Sequence, residues 1–164
     1  LEPIEGDAVN LVNGRYLAES RGIAVTESRS TESGSYASLL SVVGRDGGEH
    51  SLAGTLHGRE PRITAIDGFE VDLPAAGEVM VCWFEGRAVG ETGIVGRVGT
   101  ILGQAGVTIS RMEVGREIID GRAIMVISLG GAAPDGIQTT LAGLPGVAEV
   151  RLMRPAGPLK NEDD

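Results

Sequence analysis

The chain has 164 residues and a formal net charge of -9 at pH 7, with a sequence pI near 4.7. A chain of this length buries one good core or two small ones. Its acidic charge excludes a broad nucleic-acid footprint and attraction to an anionic membrane, and no run of about eighteen apolar residues is present to span a bilayer.

The first half of the chain is predicted to form one helix followed by strands. Apolar residues at helical spacing predict an amphipathic helix over Ala8–Arg21, which ends at Gly22. Short turns rich in glycine, proline and serine then separate apolar runs that are typical of strands. These strands are predicted at Ile23–Ser30, Tyr36–Gly44, Glu49–Leu56, Arg62–Ile66 and Phe69–Asp72. The opening residues read like the interior of a longer protein.

A domain boundary is predicted near residue 75, where Leu73–Gly77 contains residues that break helices and strands. The chain then divides into a first domain at 1–75, a second at 76–154 and a disordered tail at 155–164. The second domain reads strand, helix, strand, strand, helix, strand. This βαββαβ order predicts an α+β, ferredoxin-like domain with two helices on one face of an antiparallel sheet. Its predicted elements begin with the strand Glu78–Phe84 and end with the strand Val147–Met153.

The helix that opens at Gly93 is unusual in its glycine content. Gly96, Gly99 and Gly103 lie inside it, although each costs about 1 kcal/mol relative to alanine. Tight packing of this helix on the sheet is one explanation. The other is a small ligand close to the glycine strip, helped by the unpaired N–H groups at the helix start, which favour an anion such as a carboxylate. Gly106 is expected to end the helix in a left-handed conformation.

A sheet of this kind has open edges, and unpaired edges favour association. We therefore expect a homodimer that pairs two such sheets. The helix start and the strand that follows the helix would then lie near the twofold axis, so that a ligand there would connect binding with subunit geometry.

The sequence shows no catalytic constellation. His50 and His57 stand alone at probable strand ends, without the spacing of a metal site. Cys82 lies in an apolar strand, so it is predicted to be a small core residue in a cytoplasmic protein. No glycine-rich dinucleotide fingerprint follows a strand. We therefore expect no catalytic residue, no metal and no cofactor in this chain.

Three arginines are candidates for an anion site. Arg59 and Arg62 flank Pro61 at a predicted turn, and Arg45 lies at the preceding hairpin. If these side chains converged at one end of the first domain, they could hold a phosphate or a carboxylate. Scattered surface arginines are the alternative.

The segment Gly93–Arg116, GIVGRVGTILGQAGVTISRMEVGR, resembles the ACT domain, a small regulatory module that binds amino acids. The resemblance is closest to the ACT domain at the end of D-3-phosphoglycerate dehydrogenases. The runs Asn10–Asn13, Tyr16–Glu19, Ala53–Leu56 and Pro61–Asp72 are similar to the intervening domain in the long form of that family. The likeness extends from about residue 7 to residue 154.

The resemblance implies a non-catalytic regulatory and oligomerisation region from an enzyme of serine biosynthesis. The parent enzyme would oxidise 3-phosphoglycerate with NAD bound in domains that precede this region. Here L-serine, or a phosphorylated hydroxy acid, would act as effector in a homodimer or tetramer. The implied effector residues are Glu91, Thr92, Gly93, Ile94, Val95 and Thr108.

The sequence departs from the family pattern at this loop. Thr92 replaces the usual proline, and Thr108 stands where the family often has an asparagine, so one or two hydrogen bonds to a serine ligand are lost. Two alternatives therefore remain open. The region could be a structural oligomerisation module with a decayed effector site, or the regulatory part of an iron–sulfur L-serine dehydratase. The run Pro61–Asp72 favours the dehydrogenase.

Overall fold

The computed structural model describes residues 12–28, 36–45, 48–85, 93–116 and 122–154. The chain divides into two compact units, Leu1–Ser35 and Tyr36–Asp164. In the first unit, helix α1 spans Gly14–Ser20 and lies within the predicted helix. The strand predicted at Ile23–Ser30 is wrong for residues 23–28, which form no regular structure. Their two large apolar residues bury too little surface to hold a strand, and Ile23 is 48% exposed.

The second unit is built from two four-stranded sheets and two helices. The first sheet contains β1 (Leu40–Arg45), β2 (Glu49–His57), β3 (Glu60–Ile66) and β4 (Phe69–Pro74). The other elements are β5 (Glu78–Phe84), α2 (Ile94–Gln104), β6 (Ile109–Arg116), β7 (Ala123–Leu129), α3 (Ile137–Ala142) and β8 (Val147–Met153).

The two sheets have different topologies. The first is a meander in the order β1-β2-β3-β4, in which each neighbouring pair of strands is antiparallel. The second has the order β6-β7-β5-β8, and each neighbouring pair is antiparallel. With one helix between β5 and β6 and another between β7 and β8, this is the predicted βαββαβ arrangement. The α+β fold class is confirmed.

One face of the second sheet packs against both helices. Alternate residues of β5 and β7 point to this side, and they meet the apolar stripes of α2 and α3. The fully buried members include Met80, Phe84, Val98, Leu102 and Leu141. Helix α2 ends as expected, because Gly106 has φ +73 and Val107 donates its N–H to the Leu102 carbonyl at 2.9 Å.

The opposite face of the second sheet packs against the first sheet. Val79, Val81, Ile124 and Val126 are each at most 2% exposed and contact apolar residues of β3 and β4. Those partners are Ile63, Ile66, Phe69, Val71 and Leu73. The second sheet is therefore buried on both sides, by helices on one and by a sheet on the other.

The predicted domain boundary near residue 75 falls between β4 and β5, where the chain passes from one sheet to the other. The division into two domains at this boundary stays a prediction. Both sheets belong to the same compact unit, Tyr36–Asp164. The tail predicted at 155–164 lies outside the described residues.

Gly54 is required for close approach of two strands. The β2–β3 register shifts at Ala53/Gly54, and a Cβ on Gly54 would lie 2.8 Å from the Arg62 carbonyl oxygen. We predict that Gly54→Ala lowers the free energy of unfolding by about 1–3 kcal/mol, because backbone must move. Denaturant unfolding measures this. The control is Gly44→Ala in β1, where a Cβ meets nothing within 4 Å; equal losses in both variants would contradict the assignment.

Cys82 is the only cysteine in the sequence and is fully buried, as predicted. Burial raises the pKa of its thiol to about 12. We therefore expect no reaction with a thiol-specific reagent at pH 8 in the native protein, and one thiol per chain in denaturant. Fast reaction of the native protein would show that the face of the sheet under α2 and α3 opens readily.

Candidate effector and anion sites

The predicted effector residues at the start of α2 present backbone rather than side chains. Gly93 precedes the helix with φ +119, and its carbonyl accepts the first helical bond from the Arg97 N–H at 2.8 Å. Ile94 is 1% exposed and belongs to the core, whereas Val95 is 43% exposed. A ligand here would therefore meet the first N–H groups of α2. Glu91 and Thr92 lie outside the described residues.

Thr108 lies at the other end of the same helix. Helix α2 has eleven residues, so Gly93 and Thr108 are separated by about 16 Å of helix. The exposed Thr108 is fixed by the neighbouring strand, because its carbonyl accepts the Gly130 N–H at 2.8 Å. One small ligand cannot touch both residues of one chain. A site that contains both must combine two copies of the chain.

The glycine strip of α2 is open in the described part of the chain. An added Cβ at Gly96, Gly99 or Gly103 would meet nothing within 4 Å. Tight packing of these glycines on the sheet, one of the two explanations offered above, is therefore wrong. The helix contacts the sheet instead through Ile94, Val98 and Leu102, which are at most 1% exposed.

The three candidate arginines do not converge. Arg45 pairs with Glu49 across the β1–β2 hairpin, whereas Arg59 lies in the β2–β3 turn. The nine residues of β2 separate these two ends by roughly 30 Å. Arg45 also forms an ion pair with Glu49 at 2.8 Å. Arg45, Arg59 and Arg62 therefore do not form the expected shared site, because the turns that carry Arg45 and Arg59 lie at opposite ends of β2.

Arg62 is occupied by an internal partner. Its Nε lies 2.6 Å from Asp72 Oδ1, and its Nη2 donates to the Asp72 carbonyl at 3.3 Å. The hydrogen bond from Arg62 lowers the pKa of the Asp72 carboxyl below its ordinary value. On the far side, the Asp72 N–H donates to Glu113 Oε2 at 2.9 Å. This network links β3, β4 and β6, and it neutralises the guanidinium that an anion would need.

A polar cluster that the sequence analysis did not identify lies between the two sheets. Asp67 Oδ2 accepts the Trp83 Nε1–H at 2.9 Å and lies 3.0 Å from His50 Nδ1. Asp67 Oδ1 accepts the Ser51 N–H at 2.8 Å. Arg151 Nη2 lies 3.1 Å from His50 Nε2. We refer to Asp67, His50, Ser51, Trp83 and Arg151 as the Asp67 cluster.

The partners in this cluster determine which ring nitrogen of His50 can donate and which can accept. A carboxylate oxygen can only accept, so Nδ1 carries the proton that it gives to Asp67. A guanidinium can only donate, so Nε2 accepts from Arg151. With these partners, Nδ1 is the donor and Nε2 the acceptor of the His50 ring. The expectation that His50 stands alone is wrong, because its partners Asp67 and Arg151 are 17 and 101 residues away in sequence.

A cavity of about 400 Å³ opens beside the Asp67 cluster. Its lining combines aromatic rings with both signs of charge, including Phe69, Trp83, Glu85 and Arg122. In the described part of the chain, no group of three or more His, Cys, Asp or Glu residues could hold a metal ion. Among the same residues, no helix has both the length and the apolar character needed to cross a membrane.

Comparison with known proteins identifies relatives of both halves of the chain. Residues 1–67 match the family described as the D-3-phosphoglycerate dehydrogenase intervening domain. A D-3-phosphoglycerate dehydrogenase from Synechocystis sp. is 33% identical over 145 residues, which are 87% of this chain and 26% of that enzyme.

Two further relatives carry the same name. The enzyme from Archaeoglobus fulgidus is 36% identical over 141 residues, covering 85% of this chain and 24% of the relative. The enzyme from Bacillus subtilis is 33% identical over 156 residues, covering 93% of this chain and 29% of the relative. The chain thus spans about a quarter of the length of these curated relatives.

The stability of variants in the glycine strip shows whether another molecule packs on α2 in solution. Because nothing described approaches Gly99, we predict that Gly99→Ala raises the free energy of unfolding by about 1 kcal/mol through helix propensity. Gly136→Ala is the contrasting control and should lose stability, because Gly136 has φ +79. Denaturant unfolding at several protein concentrations measures both. A destabilised Gly99→Ala variant would mean that another molecule packs on the strip.

Proposed function

We propose that the chain regulates a D-3-phosphoglycerate dehydrogenase by binding a small anionic effector. The reason is that the chain is homologous over most of its length to the C-terminal quarter of such enzymes. L-Serine is the first candidate and a phosphorylated hydroxy acid the second. The region acts in a homodimer or tetramer in the cytoplasm and carries no catalysis of its own. The match of residues 1–67 to the intervening domain is the observation that carries this proposal.

The geometry of α2 supports an effector site shared by two chains. The helix start at Gly93 offers N–H groups to a carboxylate, and Thr108 offers a hydroxyl to a polar group. These features lie at opposite ends of one helix, about 16 Å apart. In a symmetric dimer, however, the start of one helix can lie beside Thr108 of the second copy. Effector binding would then stabilise the dimer through linkage.

The oxidation of 3-phosphoglycerate with NAD belongs, in this proposal, to the part of the enzyme outside this region. The chain contains no dinucleotide fingerprint after a strand, so we assign NAD to other domains. The iron–sulfur L-serine dehydratase alternative loses support, because the relatives described above are named as dehydrogenases. The structural module remains the second candidate, since Thr108 lacks the paired donor and acceptor of an amide.

Calorimetric titration with L-serine tests the effector site, and a gain-of-function variant sharpens the test. We predict that Thr108→Asn tightens serine binding by about fivefold, because the amide adds one hydrogen bond of roughly 1 kcal/mol. Thr26→Asn, at an exposed position of the first unit, makes the same substitution and should change nothing.

The two candidate functions predict different outcomes. Saturable heat at millimolar serine, increased affinity in Thr108→Asn and a larger dimer fraction support the effector site. If neither the wild type nor Thr108→Asn gives heat while dimers are present, the serine site is refuted and the structural module is favoured.

A further inference from the structure

The contact between the two sheets is mostly apolar, yet it contains the hydrogen-bonded carboxyl group of Asp67. The Asp67 side chain is 16% exposed, and the residue lies in the chain between Ile66 and Phe69, two members of the apolar layer. A polar group in such a place is unfavourable unless it is hydrogen-bonded. Asp67 meets this requirement with three donors, from His50, Ser51 and Trp83.

Those donors come from both sheets. His50 and Ser51 belong to β2 of the first sheet, whereas Trp83 belongs to β5 of the second. A second bond crosses in the same region, because Arg151 of β8 reaches His50 at 3.1 Å. The Arg151 guanidinium carbon also lies 5.8 Å from the centre of the Trp83 ring. The cluster therefore joins β2 and the β3–β4 turn to β5 and β8.

The backbone at Asp67 is shaped for this role. Asp67 has φ +50, the only positive φ of a non-glycine residue among the described positions. This left-handed conformation is uncommon for side chains other than those of Asn and Asp. The Asp67 N–H also donates to the Ser51 carbonyl at 2.8 Å, which ties the turn to β2. The turn thus directs the carboxylate towards Trp83 on the other sheet.

A second polar link lies on the other side of the same interface. The Asp72 N–H of β4 donates to Glu113 of β6, and Glu113 pairs with Arg111 at 3.1 Å. In the order β6-β7-β5-β8, this link contacts one edge strand, while the Asp67 cluster contacts β5 and the opposite edge strand β8. Two such links on either side of an apolar layer oppose sliding and rotation of one sheet on the other.

We propose that Asp67 is a positioning residue that fixes the first sheet on the second, so that effector binding at the start of α2 is transmitted to the first sheet. The transmission part rests on the function proposed above, since it needs an effector at the start of α2. Strand β5 is its route, because Trp83 precedes the end of this strand by one residue and the next described element is α2. The fixing of the two sheets does not depend on any ligand.

The indole of Trp83 provides a direct measurement, because it is the only tryptophan in the chain. Its Nε1–H gives a single resonance in a ¹⁵N-labelled sample, and its exchange with deuterated water reports the bond to Asp67. The variant Asp67→Gly removes the carboxylate without strain, since glycine accepts φ +50. Asp135→Gly, at an exposed turn position, is the control for added backbone freedom.

In the ligand-free chain, we expect Asp67→Gly to accelerate indole exchange at least about tenfold, while Asp135→Gly leaves it unchanged. Backbone amides of β1–β4 that exchange through local opening should exchange faster in Asp67→Gly, and the locally exchanging amides of β7 should not. The most protected amides of both sheets, which exchange through global unfolding, are not used in this comparison. Trp83→Phe, which removes the donor and keeps the carboxylate, should produce the same amide pattern. Unchanged indole and β1–β4 exchange in Asp67→Gly would overturn the proposal, as would equal acceleration of the locally exchanging amides in both sheets.

Adding L-serine then separates this proposal from the proposed function. If serine binds, we expect slower β1–β4 exchange in the wild type, and in Asp67→Gly an unchanged binding heat without that slowing. An equal response of both proteins overturns the transmission. If the wild type gives no heat, the serine site fails, whereas the ligand-free comparison still decides whether Asp67 fixes the sheets.

Discussion

The packing of one sheet on the back of another is the constraint on which the rest of the second unit depends. The second sheet has helices on its front face, so its back face would expose Val79, Val81, Ile124 and Val126 without the first sheet. Burying a valine or isoleucine side chain is worth about 1.5–3 kcal/mol. The first sheet has little other support, because its strand β1 is exposed at all six positions. Each sheet therefore stabilises the other.

This constraint also explains the polar contacts. An apolar layer is non-directional, so it holds two sheets together without fixing their relative orientation. Directional hydrogen bonds at Asp67 and Glu113 supply that orientation on either side of the layer. In the proposed function, this fixed orientation would let a change at the effector site next to one sheet reach the other sheet.

Much of the fold could be predicted from sequence, because its signals are local. The bounds of β5 and β8 follow from apolar runs between turn residues, and Gly106 ends α2 as its position predicts. The packing of the first sheet on the back of the second sheet was harder to predict. Strands β5 and β7 are nearly continuous apolar runs, which is typical of a strand buried on both faces, but such a run does not identify what covers it.

The sites were harder to predict, because they depend on contacts that are distant in sequence. The predicted strand Glu49–Leu56 already separates the turns at Arg45 and Arg59, so their positions at opposite ends of β2 could have been inferred from the predicted elements. The Asp67 cluster joins residues from β2, a turn, β5 and β8, and only the three-dimensional fold brings them together. The predicted effector residues at Gly93 and Thr108 are local features of one helix, and their joint use needs a second copy of the chain.

Native-state hydrogen exchange in low denaturant tests the central claim most directly, namely that the two sheets form one cooperative structure. Amides of β3 and β7 can be followed separately in the same sample. The account predicts that their most protected amides open with the same free energy and the same denaturant slope, because both sheets unfold together. The claim would be contradicted if the amides of β3 opened at a clearly lower free energy and with a smaller denaturant slope while those of β7 stayed protected.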